Sequence, residues 1–453
     1  MAPAEPTSTA EQLTSRRAFL AAVGGATAAS LALGGCDDIG GASSGGGGVT
    51  LRFWNLFSGP DGRTMLGLVR KFNTLNPDVN VVMQRMHWST YYNKLFVAGL
   101  GGRAPDVFIT HRYALRRFVG AGFVRKADDM FGPGADQLDP SDFDPNILEA
   151  MKQGGTYWGV PLDVHPLGMY YNRTLLKSVG FVDAKGAARP PTNREEFLDV
   201  LHRLKPRPGL NPRDTTWGFV YTWQRTNLFA IISQFGGQLF DPTLTKATFS
   251  SPPNVKGLAW AADLVRQGLV PGPQNFDSWI GFRQGRVGLV FEGIYVLPEV
   301  RRQADLDWRA APLPLIGSKR ATWGESHSLV TRNDLEGPQL AAAKRFIKFL
   351  SDNSLDWADG GQVPVRQSLR DTDRFRAMYA QNQFAKQIPY VAYLPPAPFV
   401  FEYLRAFDDA IELALRGTKS AQAAMQTADQ IVQPVINRYA KQDLWRDVMG
   451  GVE

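Results

Sequence analysis

The stretch VTLRFWNLFSGPDGRTMLGLVRKFNTLNPDVNVVMQRMHWSTYYNKLFVAGLGGRAPDVFIT, residues 49–110, decides the fold. Val49, Leu51 and Phe53 alternate with polar positions, the period of a half-buried strand. A Gly/Pro turn over 55–62 follows. Met65, Leu66, Val69 and Phe72 then recur at helical spacing until Asn76-Pro77 stops them. Residues 79–83 read as a strand, 89–100 as a helix and 106–110 as a third strand. The order β-α-β-α-β predicts an α/β fold with a parallel sheet covered by helices. Ligands of such sheets sit beyond the carboxyl ends of the strands, which directs attention to the loops after Phe53 and Ile109.

A second α/β region follows. Residues 158–161 and 168–172 look extended. Pro191-Thr192 opens a helix with a capping box, Thr192 and Glu195, and an apolar stripe of Phe197, Leu198 and Leu201. Residues 217–221 and 287–291 read as strands, and 228–235, 255–267 and 338–351 as helices. The tail from Phe399 reads as further helices, the last over 421–448.

An export address precedes this body. Ser15-Arg-Arg-Ala-Phe-Leu20 supplies a twin-arginine n-region, 18–33 a weak apolar segment, and Leu33-Gly-Gly-Cys36 a bacterial lipobox. The apolar segment is too dilute for a permanent span. Residues 1–35 therefore read as a Tat-like signal peptide. Cys36 reads as the lipidation site, and 36–48 as a Gly-rich tether to the membrane. Cys36 is the one cysteine of the chain, so disulfides, zinc thiolates and a cysteine nucleophile are excluded. An apolar fraction of 44% with 21% charge excludes disorder of the bulk. The net charge of +7 is spread without a Lys/Arg block, so no nucleic-acid partner is expected.

Segments along nearly the whole body carry a resemblance. They include Leu51-Arg-Phe-Trp-Asn55, Ser58-Gly-Pro-Asp-Gly62, Ala104-Pro-Asp-Val-Phe108, Tyr157-Trp-Gly-Val-Pro161 and Gly168-Met-Tyr-Tyr-Asn172. Phe282-Arg-Gln-Gly-Arg-Val-Gly288 with Glu292-Gly293, Trp323-Gly-Glu-Ser-His327 and Gln362-Val-Pro-Val-Arg366 complete the set. Together they resemble the extracellular solute-binding proteins of ABC importers, in the sugar-binding family that includes maltose-binding protein.

The resemblance implies a two-lobe periplasmic-binding-protein fold with parallel-rich sheets, a hinge and an interlobe cleft. One lobe would comprise 49–164 and 323–356, the other 165–322 and 357–453. It implies a non-enzymatic monomer without cofactor that closes on a sugar and presents it to a membrane permease. A sugar needs aromatic faces beside hydrogen-bonding groups. Matching to the family gives Phe57 and Ser58; Thr110, His111 and Arg112; His165, where maltose-binding protein has a glutamate; Tyr221, Trp223 and Gln224; Tyr295, where many members carry a stacking Trp; Trp323, Glu325 and His327; and Arg366. Trp54, Trp260 and Phe291 are expected in the core. The histidine spacing is not that of a known metal motif, so neutral imidazoles bonding hydroxyls are expected and no metal. Two alternatives stand: an anionic or polyol ligand such as a glycerophosphodiester, held by Arg112, Arg225 and Arg366, and a glycoside hydrolase using Glu292 and Glu325.

Overall fold

The computed structural model describes residues 48–206, 209, 211, 215–221, 223–273 and 276–441. The signal peptide, Cys36 and the tether up to residue 47 lie outside the described residues, as does 442–448 of the expected last helix.

The opening strand–helix alternation forms as read: β1 Val49–Asn55, α1 Pro60–Leu75, β2 Val79–Arg85, α2 Trp88–Leu100 and β3 Val107–His111. Pro60 at the first turn of α1 suits a position whose N–H has no intrahelical partner. α1 buries Met65, Leu68, Val69 and Phe72. Both β2 and β3 pair with β1 in parallel. α3, Arg112–Gly120, leaves directly from the end of β3.

The next elements are β4 Val160–Pro161 and β5 Asp163–Asn172, every residue of which is buried. α4 Arg194–Arg203, β6 Trp217–Phe219, α5 Gln224–Gln234, α6 Pro252–Arg266, β7 Val287–Gly293 and β8 Trp308–Ala311 follow. Then come β9 Thr322–Glu325, β10 His327–Thr331, α7 Gly337–Asp352, β11 Val363–Pro364, β12 Val391–Ala392, α8 Val400–Leu415 and α9 Ala421–Ala440.

Two main sheets result, one per lobe, with orders β2-β1-β3-β10-β4 and β12-β9-β5-β7-β6; β8 and β11 also pair with β5. The second sheet departs from the parallel-rich expectation. β7, β8, β9 and β11 all run antiparallel to β5, while only β6–β7 and β9–β12 are parallel there. The cause is topological: the chain leaves the first sheet along β5 and returns along β9 and β10 in the opposite direction. The β-α-β rule therefore governs only the opening segment.

The capping box on α4 is shifted by one residue. Asn193 is the N-cap and accepts from the amide of Glu196 (2.9 Å), while the Glu196 carboxylate accepts from the Thr192 amide (2.8 Å). With Glu196 on the outer turn, Phe197, Val200 and Leu201 face the core and Leu198 is half-buried. Asn193→Ala is expected to cost about 1 kcal/mol, readable as a lowered denaturant midpoint; Thr192→Ala should cost less. Phe291 is fully buried, and Trp54 and Trp260 pack against the two cores as expected.

Candidate ligand-binding site

Two strand registers bring three histidines together. His327 opens β10 directly opposite His111, the last residue of β3. One residue upstream of β10, β9 pairs with β5 so that Glu325 lies opposite His165. The continuous segment 322–331 thus belongs to both sheets. The His165 and His327 rings stack at 4.3 Å, and the His111 ring lies 4.8 Å from His327 and 5.3 Å from His165. One ring nitrogen from each lies within 4.8 Å of the others.

Asp163 holds two of these rings. It sits two residues before His165 and so on the same strand face. It is fully buried. Its carboxylate accepts from His165 Nδ1 (3.0 Å), His327 Nδ1 (2.7 Å), the His327 amide (3.2 Å) and Trp357 Nε1 (2.6 Å). Burial opposes its ionisation, but His327 and His165 overcome that and hold its pKa far below the usual carboxylate range. Since a carboxylate can only accept, both imidazoles carry their proton on Nδ1. Burial and the neighbouring His327 push His165 down to about 4, and burial likewise lowers His111. Nδ1 of His111 is bonded to Tyr92 Oη, and its ring stacks on Tyr113 at 5.3 Å and 9°.

Aromatic rings enclose the cluster. Phe57 meets His327 edge-on at 4.8 Å and Trp357 at 4.7 Å; Trp323 and Tyr295 stand 6.0 and 6.3 Å from His165. Polar atoms with no partner among the described residues accumulate on the same strands and loops: Asn55 Nδ2, Arg112 Nε, Trp323 Nε1, both oxygens of Glu325, Ser326 Oγ and Tyr393 Oη. All are buried. Burial pushes the Glu325 carboxyl up to about 8 against the pull of Arg112 and nearby amides. Burial does the same to Glu292, also to about 8; one Glu292 oxygen accepts from the Gly293 amide (3.0 Å) and Tyr295 Oη (3.3 Å), and the other has no partner among the described residues. Buried groups left so cost on the order of 1–3 kcal/mol each unless something binds them. A cavity of about 320 Å³, lined by Gln234, Leu313, Arg320 and Tyr390, is elsewhere. The amide of Gln234 is satisfied by backbone groups, and that cavity has none of these features.

The sequence-derived residues divide accordingly. Phe57, His111, His165, Tyr295, Trp323 and His327 form the cluster and its walls. Thr110 is buried beside it in β3, with its hydroxyl on the His111 carbonyl (3.1 Å), and Glu325 faces Arg112 and Tyr113. Arg112 donates to the Leu394 carbonyl (2.9 Å) and covers the Tyr393 ring at 4.6 Å. Ser58 is exposed on the turn before α1. Trp223 is 52% exposed, holds a left-handed φ of 30°, and meets Trp88 edge-on at 6.5 Å; Gln224 begins α5 behind it.

Two candidates have other roles. Tyr221 turns into the core of the second sheet, with its hydroxyl on the Ala261 carbonyl (3.2 Å). Arg366 is paired with Asp142 (2.7 Å) and Asp352, because the turn after β11 faces those carboxylates. Arg225 is likewise held by Asp408. The sequence reading missed Asp163, Tyr92, Tyr113 and Trp357. The Asp163-Val-His165 spacing on one strand face was the available signal for the first.

Residues 58–354 match the family described as bacterial extracellular solute-binding protein. Among relatives, a maltotriose-binding protein of Pyrococcus abyssi is 21% identical over 81% of this chain and 78% of its own length. The sn-glycerol-3-phosphate-binding periplasmic protein UgpB of Escherichia coli K12 is 22% identical over 87% and 94%. Similar solved structures include the GacH receptor of Streptomyces glaucescens (TM-score 0.74, 18% identity, 86% of this chain and 99% of that one). The sugar-binding protein MalE of Xanthomonas citri is also similar (TM-score 0.73, 20% identity, 86% and 98%). With two lobes joined through β5 and 322–331, and a profile match over most of its length, the chain belongs to the bacterial extracellular solute-binding protein family.

Proposed function

We propose that this chain is the capture component of an ABC importer, binding a mono- or oligosaccharide between its lobes and handing it to a permease. The observation that carries the proposal is the set of buried polar atoms, without partners among the described residues, at the junction of the two sheets. Trp323 Nε1, Glu325, Ser326 and Arg112 Nε pair donors and acceptors with aromatic walls. Sugar hydroxyls and C–H faces supply both complements. The relative named for maltotriose, and the MalE-type fold, support the same reading.

The lobes follow the sequence-derived division, 49–164 with 323–356 and 165–322 with 357–453, except that β5 from Asp163 and β9 through Glu325 lie in the second sheet, and the chain works as a monomer. Cys36, lipidated after Tat export, tethers it to the outer face of the membrane beside its permease, which raises its effective concentration there. No bond is made or broken. Burial raises both Glu292 and Glu325 to about 8, which disfavours the ionised nucleophile or base that glycoside hydrolysis requires.

A thermal-shift screen against sugars, polyols and glycerol phosphates tests this. A specific sugar at about 100 times its Kd stabilises by about 2.7 kcal/mol, a clear rise in midpoint. Trp323→Phe, which keeps the ring face and removes the N–H, should weaken that sugar about tenfold. Failure of every carbohydrate to raise the midpoint would overturn the proposal. The anionic alternative draws on Arg112, since Arg225 and Arg366 are already paired. It would show as an affinity that falls steeply with salt, whereas a neutral sugar gives a flat response.

A further inference from the structure

We propose that His111, His165 and His327 form a divalent-metal site of the zinc class at the junction of the two sheets. Three observations carry it. The first is convergence: one nitrogen from each ring lies within 4.8 Å of the other two, and the residues come from three different strands. A tetrahedral ion with metal–nitrogen distances of about 2.1 Å holds its ligands about 3.4 Å apart. Ring rotations that move the nitrogens by about 1 Å complete that geometry.

The second observation is the outer layer. A metal-bound histidine characteristically gives its other ring N–H to a carboxylate, which fixes tautomer and orientation. Asp163 takes the Nδ1–H of both His165 (3.0 Å) and His327 (2.7 Å), and is itself fixed by Trp357. Nδ1 of His111 is bonded to Tyr92 Oη. Nε2 therefore remains in each ring as the nitrogen without a partner among the described residues.

The third is the chemistry of the donor set. Three imidazoles, with no lysine or arginine among them, converge inside an aromatic enclosure, a set suited to a divalent cation. Three imidazole ligands without thiolate select zinc or a similar borderline ion rather than Mg²⁺ or Ca²⁺. Three protein ligands leave a fourth position for water or a ligand oxygen. Since His111 and His327 lie in the first sheet and His165 in the second, the bound ion links the lobes. This inference does not depend on which solute is captured.

The test uses the untagged full chain, stripped with a chelator and titrated with Zn²⁺ alone, then with Co²⁺ for its visible absorption. One equivalent of Zn²⁺ retained after dialysis, and a tetrahedral Co²⁺ spectrum, are expected. His327→Gln, checked for folding by circular dichroism, should abolish the spectrum. Asp163→Asn, which acts only through the histidines, should weaken Zn²⁺ by about 10–100-fold while leaving one site. If His327→Gln does not fold, His111→Gln at the half-buried ring replaces it, with the same expectation. Substoichiometric Zn²⁺ in the wild-type chain, or a Co²⁺ spectrum unchanged in a folded histidine variant, would overturn the proposal. The thermal screen, run on the chelator-stripped chain, reads sugar binding separately.

Discussion

Replacing Asp163 with alanine should destabilise the protein by about 3–5 kcal/mol, a larger effect than any surface substitution can produce. This one carboxylate ties together three segments of the chain, two of them where it passes between the sheets. It lies on β5, accepts from the ring and amide of His327 at the start of β10, and accepts from Trp357 beyond α7. Truncation leaves four donors in a fully buried space with no acceptor. Asp163→Asn keeps part of the acceptor set and should cost less. Urea unfolding of wild type and both variants checks the order. An alanine variant within about 1 kcal/mol of wild type would show that the carboxylate is not what joins these segments.

Stability should fall as pH rises toward 8, and Glu292→Gln should reduce that fall. Burial raises the folded-state pKa of Glu292 from 4.5 to about 8. Below about 4.5 both folded and unfolded chains carry the proton, and the contribution of the buried acid is fully present. Above it the unfolded chain ionises while the folded chain does not, so stability drops by about 1.4 kcal/mol per pH unit until the folded group also titrates near 8. Glu325, also at about 8, contributes the same trend. His165, held near 4, acts in the opposite sense: its stability is present above 6.5 and is lost as pH falls toward 4. The window from 6.5 to 8 therefore isolates the two glutamates. The glutamine side chain keeps an oxygen for the Gly293 amide and Tyr295 Oη. Melting curves of Glu292→Gln should run shallower than wild type across that window and gain most near pH 8. Parallel curves would mean that Glu292 ionises normally in the folded state.

The first lobe was legible in the sequence because its signals are local. Alternation in 49–53, the helical spacing of Met65, Val69 and Phe72, and the stop at Asn76-Pro77 each specify an element without help from distant residues. In the second sheet the strands over 168–172, 217–221 and 287–291 were legible as elements, but their pairing was not, because β5 and β7 are buried along their whole length and no face marks a partner. Their partners are set by a returning chain more than a hundred residues away. The members of the histidine cluster were legible, but their clustering was not. His111, His165 and His327 were found through their places in the family pattern. Their mutual contact depends on the His327–His111 and Glu325–His165 registers, which no spacing along the chain expresses. Arg366 and Tyr221 were misplaced for the same reason: the carboxylates of Asp142 and Asp352, and the carbonyl of Ala261, reach them only in three dimensions.

Hydrogen–deuterium exchange with and without the sugar that raises the melting midpoint most tests capture between the lobes directly. Amides of 110–113, at the end of β3 in the first sheet, and of 322–325 and 391–394, at β9 and β12 of the second, should slow together on binding. Arg112 already reaches the Leu394 carbonyl at 2.9 Å, which marks where the two meet. Protection confined to one of these lobes, or appearing away from the histidine cluster altogether, would contradict binding in the cleft.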